Sequence, residues 1–239
     1  MAFQIPDGLA PEAYPLSWLL GRWRGPGFIA YPDIPQRGVL VDAEFSHDGG
    51  PYLIYTATTY LLESPLDSLE GQIDVASLEA GQVWGTESGY WRVSPAGESS
   101  PPSAASAAGQ AGTNDDGGAA GAGGQAGRGA TGANGSAGGD GAGGASAHNG
   151  GNAAGAPVSD LEVLLAEPTG HVSVYLGRVQ GPRVELTTDL IARTATGAEI
   201  AAASRMYGLV GGELFWATDM AAFGHELQSY SSGRLQRQE

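Results

Sequence analysis

The chain contains no cysteine and no lysine. The missing cysteines exclude disulfides, thiolate metal sites and cysteine nucleophiles together. The missing lysines leave eleven arginines against 26 acidic residues, for a net charge of −15. Binding a nucleic-acid duplex or an anionic membrane requires clustered cations, and none occurs, so neither is an expected partner. Arginine without lysine, in a chain rich in Ala and Gly, fits a GC-rich bacterial genome. No window approaches the roughly 20 apolar residues of a membrane-spanning helix. The start, Met1-Ala2-Phe3-Gln4-Ile5-Pro6, has neither a basic region nor a long apolar run. The expected location is therefore the cytoplasm.

A further absence divides the chain. Between Val93 and Val158 there is no Val, Ile, Leu, Met, Phe, Tyr or Trp. The 64 residues Ser94 to Pro157 are Gly, Ala, Ser and Asn with scattered charge. Such a segment buries too little apolar surface to offset its ordering entropy, so disorder is expected across 94–157. The remaining 175 residues are enough for one core. One domain over 1–239, interrupted by this insert, is the expected organisation, because loop-closure entropy grows only slowly with length.

What is present is a series of short strands. Leu16 to Leu20 reads as an apolar helical turn after an extended lead-in over residues 1–15, and Gly21 ends it. Gly21, Trp23, Gly25 and Gly27 then alternate, which in a strand puts them on one face. Such a face admits two readings, a flat ligand lying against bare backbone or another backbone closing over it. Val39–Phe45, Tyr52–Tyr60, Glu87–Val93, Leu161–Leu165, His171–Gly177, Val184–Thr188 and Ala201–Val210 are further strands, and Glu213–Met220 reads as the last long one. Residues 63–81 read as a loop. Short regular spacing without a helical period predicts an all-β antiparallel barrel or sandwich, with the barrel preferred.

Side-chain chemistry is sparse. Of four histidines, His148 falls in the insert, His47 in a Ser-His-Asp-Gly turn, and His171 at a strand start expected at the surface. None pairs with another at zinc spacing. Ser46-His47-Asp48 is adjacency, which is not triad geometry. Glu44 and Glu87 read as lone surface carboxylates.

Gly21-x-Trp23-x-Gly25-x-Gly27 followed by Tyr31-Pro32-x-Ile34 resembles the signature of the nitrobindin family, haem-binding β-barrels shaped like fatty-acid-binding proteins. Phe45-Ser46-His47-x-Gly49, Glu87-Ser88-Gly89-Tyr90-x-Arg92-Val93, Leu165-Ala166-x-Pro168-x-Gly170, Arg205-x-Tyr207 and Gly212-Glu213-Leu214 extend the similarity over most of the ordered chain. The resemblance implies a barrel of about ten strands with a cavity open at one end. It also implies haem b held by one histidine in the closing segment, and isomerisation of peroxynitrite to nitrate at the iron. Aligning Met220-x-Ala222-x-Gly224 and Leu227-Gln228 with that segment puts Tyr230 at the histidine position, with His225 five residues too early. A phenol binds ferric iron well only as phenolate. A stabilising Arg234 would stand one turn away in a helical tail, but Ser231-Ser232-Gly233 argues against a helix. The expectation is a nitrobindin-like barrel lacking ordinary haem ligation and binding another apolar ligand. The alternatives are a haem-binding peroxynitrite isomerase using Tyr230 or His225, and a barrel that displays the insert as an interaction arm.

Overall fold

Alternation sets the architecture. In segment after segment, every second residue is apolar and buried, as in Val39, Val41, Ala43 and Phe45, or Leu161, Val163 and Leu165. A period of two with one apolar face demands a sheet with one face covered, and closing the sheet on itself covers that face without leaving an edge. The computed structural model describes residues 7–63, 73–95 and 156–239, and these form a closed ten-stranded antiparallel barrel. Its strands are β1 (Gly21–Tyr31), β2 (Ile34–Ser46), β3 (Leu53–Leu61), β4 (Val83–Val93), β5 (Val158–Glu167), β6 (His171–Gln180), β7 (Arg183–Arg193), β8 (Ile200–Val210), β9 (Glu213–Ala222) and β10 (Gln228–Gln238). Each pairs with its neighbour in sequence, and β1 pairs with β10 to close the cylinder.

Most of the expected insert, 94–157, lies outside the described residues. Residues 64–72 of the predicted loop 63–81 also lie outside them, and its described part includes a short 3₁₀ turn at Val75–Ser77. The strands flanking the insert continue the ladder, with Tyr90 opposite Leu164 and Val93 opposite Leu161.

Two readings are corrected. The lead-in is not extended to residue 15: a 3₁₀ helix runs from Pro11 to Leu19, where Pro11 can open the turn because it needs no N–H there. Glu213–Met220 is not the last long strand, since the 11-residue β10 follows it. The tail is a strand, as Ser231-Ser232-Gly233 implied, so Arg234 does not stand one helical turn from Tyr230.

The 3₁₀ helix plugs one end. Ala13, Leu16 and Leu19 are fully buried in the core with Trp23, Trp91 and Leu161. Gly21 follows the helix with φ +118°, a value that favours glycine. Trp23 Nε1 donates to Leu19 O at 2.7 Å, and the Arg237 guanidinium stacks on the indole, 4.2 Å from its centre. Arg237 also donates to Trp18 O and Leu20 O, satisfying carbonyls at the helix end.

The alternating glycines are explained by backbone packing. A Cβ on Gly25 would lie 2.2 Å from Arg234 O, and one on Gly27 would lie 2.6 Å from Ser232 O. Bare positions let β10 approach β1 closely where the barrel closes. Of the two readings of this face, the closing backbone holds at Gly25 and Gly27.

Candidate functional site

The other end of the barrel is open. Strand by strand, inward side chains shrink toward it: Phe45 to Ala43 on β2, Tyr55 to Ala57 on β3, Tyr175 to Ser173 on β6, and Tyr207 through Arg205 to Ala203 on β8. The result is a cavity of about 350 Å³ with largely apolar walls.

At its floor stands an ion pair. Arg205 on β8 meets Glu87 on β4 in a two-pronged contact, Nη1–Oε1 2.8 Å and Nη2–Oε2 2.6 Å. Only 10 % of the arginine side chain and 18 % of the glutamate side chain remain exposed, and both line the cavity. Three phenols surround them. Tyr55 donates to Glu87 Oε1 at 2.7 Å, while Tyr175 and Tyr207 accept from Arg205 at 3.2 and 3.4 Å. Burial pushes the Glu87 carboxyl up, but the guanidinium charge and the hydrogen bonds from Arg205 and Tyr55 outweigh it and hold Glu87 below its ordinary range. Burial, with the Glu87 charge behind it, pushes the Tyr55 phenol well up.

Nearer the mouth, burial raises the carboxyl of Glu167, and the charge of Glu87 adds to the effect. His171 lines this region with both ring nitrogens engaged, Nε2 2.9 Å from Ala198 O and Nδ1 3.3 Å from Thr169 Oγ1. Phe223, at φ +55° the one non-glycine residue with positive φ among the described residues, forms part of the rim. Tyr31 anchors that rim: its hydroxyl donates to Met220 O and accepts from Ala222 N, both at 2.9 Å.

Tyr230 is in the cavity wall. It is the extra residue at the register shift of β10 between Ser229 and Ser231, which re-aims a side chain. Its hydroxyl accepts from Trp84 Nε1 at 2.8 Å, and its ring meets Tyr31 edge-on at 6.1 Å. Burial raises the phenol above its ordinary value, although the Trp84 bond opposes the shift. His225 is not among the cavity residues; its Nε2 pairs with Asp33 Oδ2 at 3.3 Å on the outside. The structure thus brings Tyr230 to the cavity and leaves His225 beside it. Of the glycine motif, Trp23 lies in the plugged end, away from the cavity.

Two sequence expectations are overturned here. His171 is 4 % exposed rather than a surface residue, and Glu87 is an interior ion-pair partner rather than a lone surface carboxylate. Phase along the strand carried the missed signal: Glu87 shares parity with Trp91, and Arg205 with Tyr207, so all four face inward. Among the described residues, no group of three or more His, Asp and Glu side chains could hold a metal ion, and no helix is long and apolar enough to cross a membrane.

Comparison with known proteins gives a consistent picture. A family model described as "THAP4-like, heme-binding beta-barrel domain" matches residues 12–114 and 154–237. A "Ferric nitrobindin-like protein" from Beutenbergia cavernae is 54 % identical over 99 % of both chains. A "Peroxynitrite isomerase" from Leifsonia xyli subsp. xyli is 35 % identical, again over 99 % of each. The crystal structure of Rv2717c from M. tuberculosis superimposes with a TM-score of 0.59 at 24 % identity, covering 97 % of this chain and 99 % of that one, a likeness of fold.

Proposed function

Because the chain belongs to the nitrobindin family of THAP4-like, heme-binding β-barrel domains, we propose that its cavity is a ligand site, and that it takes an apolar ligand without holding haem iron through the residue at the family's histidine position. One observation carries this reading: Tyr230 is enclosed in the cavity wall, where burial disfavours the phenolate more than the hydrogen bond from Trp84 Nε1 favours it. A tyrosine binds ferric iron as the phenolate, which is stabilised by a nearby cation. Here Arg205 is taken up by Glu87, and the Glu167 charge acts on Tyr230 in the wrong direction.

The histidines support the same reading. His171 has no free ring nitrogen to offer the cavity, and His225 is paired with Asp33 outside it. The residues present therefore do not fit an axially ligated haem, and no step is assigned to iron. What does fit is a small apolar molecule, since a cavity of about 350 Å³ falls in the range of ligand pockets.

A second reading, haem held by Tyr230 in a peroxynitrite isomerase, draws on the position of that hydroxyl in the cavity wall and on the 35 % identity to the Leifsonia enzyme. Hemin titration of the full chain separates the two. The first reading expects no saturable one-to-one Soret band; a stoichiometric complex that Tyr230→Phe abolishes would establish the second.

A further inference from the structure

We propose that the cavity selects a neutral molecule, an apolar body carrying one carbonyl or hydroxyl group, and discriminates against long-chain carboxylates, with the polar group seated against Tyr175 beside the Glu87–Arg205 pair. This deepens the apolar-ligand reading and rests on it.

Charge sets the first constraint. An arginine at the floor of an apolar barrel, taken alone, would attract an anionic head group. Here its two-pronged contact with Glu87 cancels the charge at 2.6–2.8 Å. A carboxylate entering the cavity would leave water to face a net-neutral pair whose negative half lies on the same surface. Like charges at such range in a poorly hydrated site repel strongly, and a buried anion without its own counter-ion is disfavoured. The floor therefore selects against a formal charge.

Hydrogen bonding then selects for polarity. Tyr175, 3 % exposed, accepts from Arg205 Nε, and its own hydroxyl hydrogen has no acceptor among the described residues. The guanidinium lies over its ring, 5.1 Å from the centre, which fixes the phenol in place. A buried donor without an acceptor is unfavourable, and a ligand carbonyl or hydroxyl oxygen would relieve it. A pure hydrocarbon would fill the walls and leave that donor unmet. Selecting a polar neutral group over its absence is how a mostly apolar site with few polar groups gains specificity.

The test uses the full chain and three ten-carbon probes, decan-2-one, decanoate and decane, titrated at pH 7.5. Quenching of the cavity tryptophans Trp84 and Trp216 and calorimetry give the affinities. Decan-2-one is expected to bind at least tenfold more tightly than decanoate, and more tightly than decane. Glu87→Gln, which leaves the Arg205 charge uncompensated, should reverse the order and improve decanoate binding at least tenfold. Tyr175→Phe, which removes the donor and leaves the ion pair, should bring the ketone down to the level of decane. Decanoate binding the unmodified chain as tightly as the ketone would overturn the proposal and leave the apolar-ligand reading standing. A ketone affinity untouched by Tyr175→Phe would do the same. Failure of all three probes to bind would overturn both.

Discussion

The two ends of the barrel are made from the same strands and differ in what their inward side chains do. At the plugged end, Trp23, Phe45, Trp91 and Leu214 fill the cylinder, and polar groups serve the backbone: Trp23 closes onto Leu19 O and Arg237 onto Trp18 O. At the open end, Ala43, Ala57, Ser173 and Ala203 leave the cylinder hollow, and polar side chains bond to each other across the space, Glu87 to Arg205 and Trp84 to Tyr230. Side-chain size thus decides which end is core and which is site. A barrel of this strand number can be filled or can hold one small ligand, and this one does each at a different level.

The sharpest way to break this comparison is to truncate one tryptophan at each end. Trp23→Ala should cost about 3–5 kcal/mol, because it removes a fully buried indole and leaves a hole in close-packed surroundings. Trp84→Ala should cost no more than about 1 kcal/mol, since its side chain is partly exposed and forfeits one hydrogen bond. Urea unfolding monitored by circular dichroism reads both. Equal losses would mean that the mouth is packed as core and is not a site.

How much of this was legible in the sequence follows the same division. Most strand positions, the barrel and the glycine motif are legible, because they depend on alternation and on local backbone demands; β10 is not, since its Ser229-Tyr230-Ser231-Ser232-Gly233 stretch carries no apolar alternation. The side of the barrel on which the chemistry sits is not legible either. Glu87 and Arg205 are 118 positions apart, and nothing local says that they meet. A residue after a Pro-Thr-Gly turn is expected at the surface, whereas the His171 ring turns inward and reaches Ala198 O. Tyr230 was placed by resemblance. That it faces inward depends on one extra residue in β10, and a register shift of this kind is invisible to a count of alternation.

Breaking the polar floor should come next in size and should depend on pH. Arg205→Met leaves the Glu87 carboxylate in the cavity without its cation, and breaking a buried pair in this way costs about 3 kcal/mol or more near neutral pH. Because Glu87 is held below its ordinary range in the folded chain, its contribution is present above the unfolded value near 4.3 and is lost as pH falls through the folded one. Protonation removes the unpaired charge, so the Tm gap between Arg205→Met and the unmodified chain should narrow as pH drops from 7 toward about 4. A gap independent of pH would show that Arg205 acts by packing alone.

The smallest effect should carry the opposite sign. Glu167 is raised by burial and by the charge of Glu87, so its ionised form is less favourable in the folded barrel than in the unfolded chain. Below the unfolded value near 4.3 both states are protonated and the penalty vanishes; it grows as pH rises and is complete above the folded value. Glu167→Gln removes the charge and keeps the shape. It should therefore raise Tm at pH 7–8 by on the order of a few °C, with the gain shrinking to nothing as pH falls to about 4. Scanning calorimetry across that range measures it. A loss of stability at pH 7 would mean that the Thr169 hydroxyl, which donates to Glu167 Oε2 at 3.2 Å, outweighs both burial and the Glu87 charge. The mouth would then be tuned to hold a negative charge, in contrast to the neutral floor beneath it.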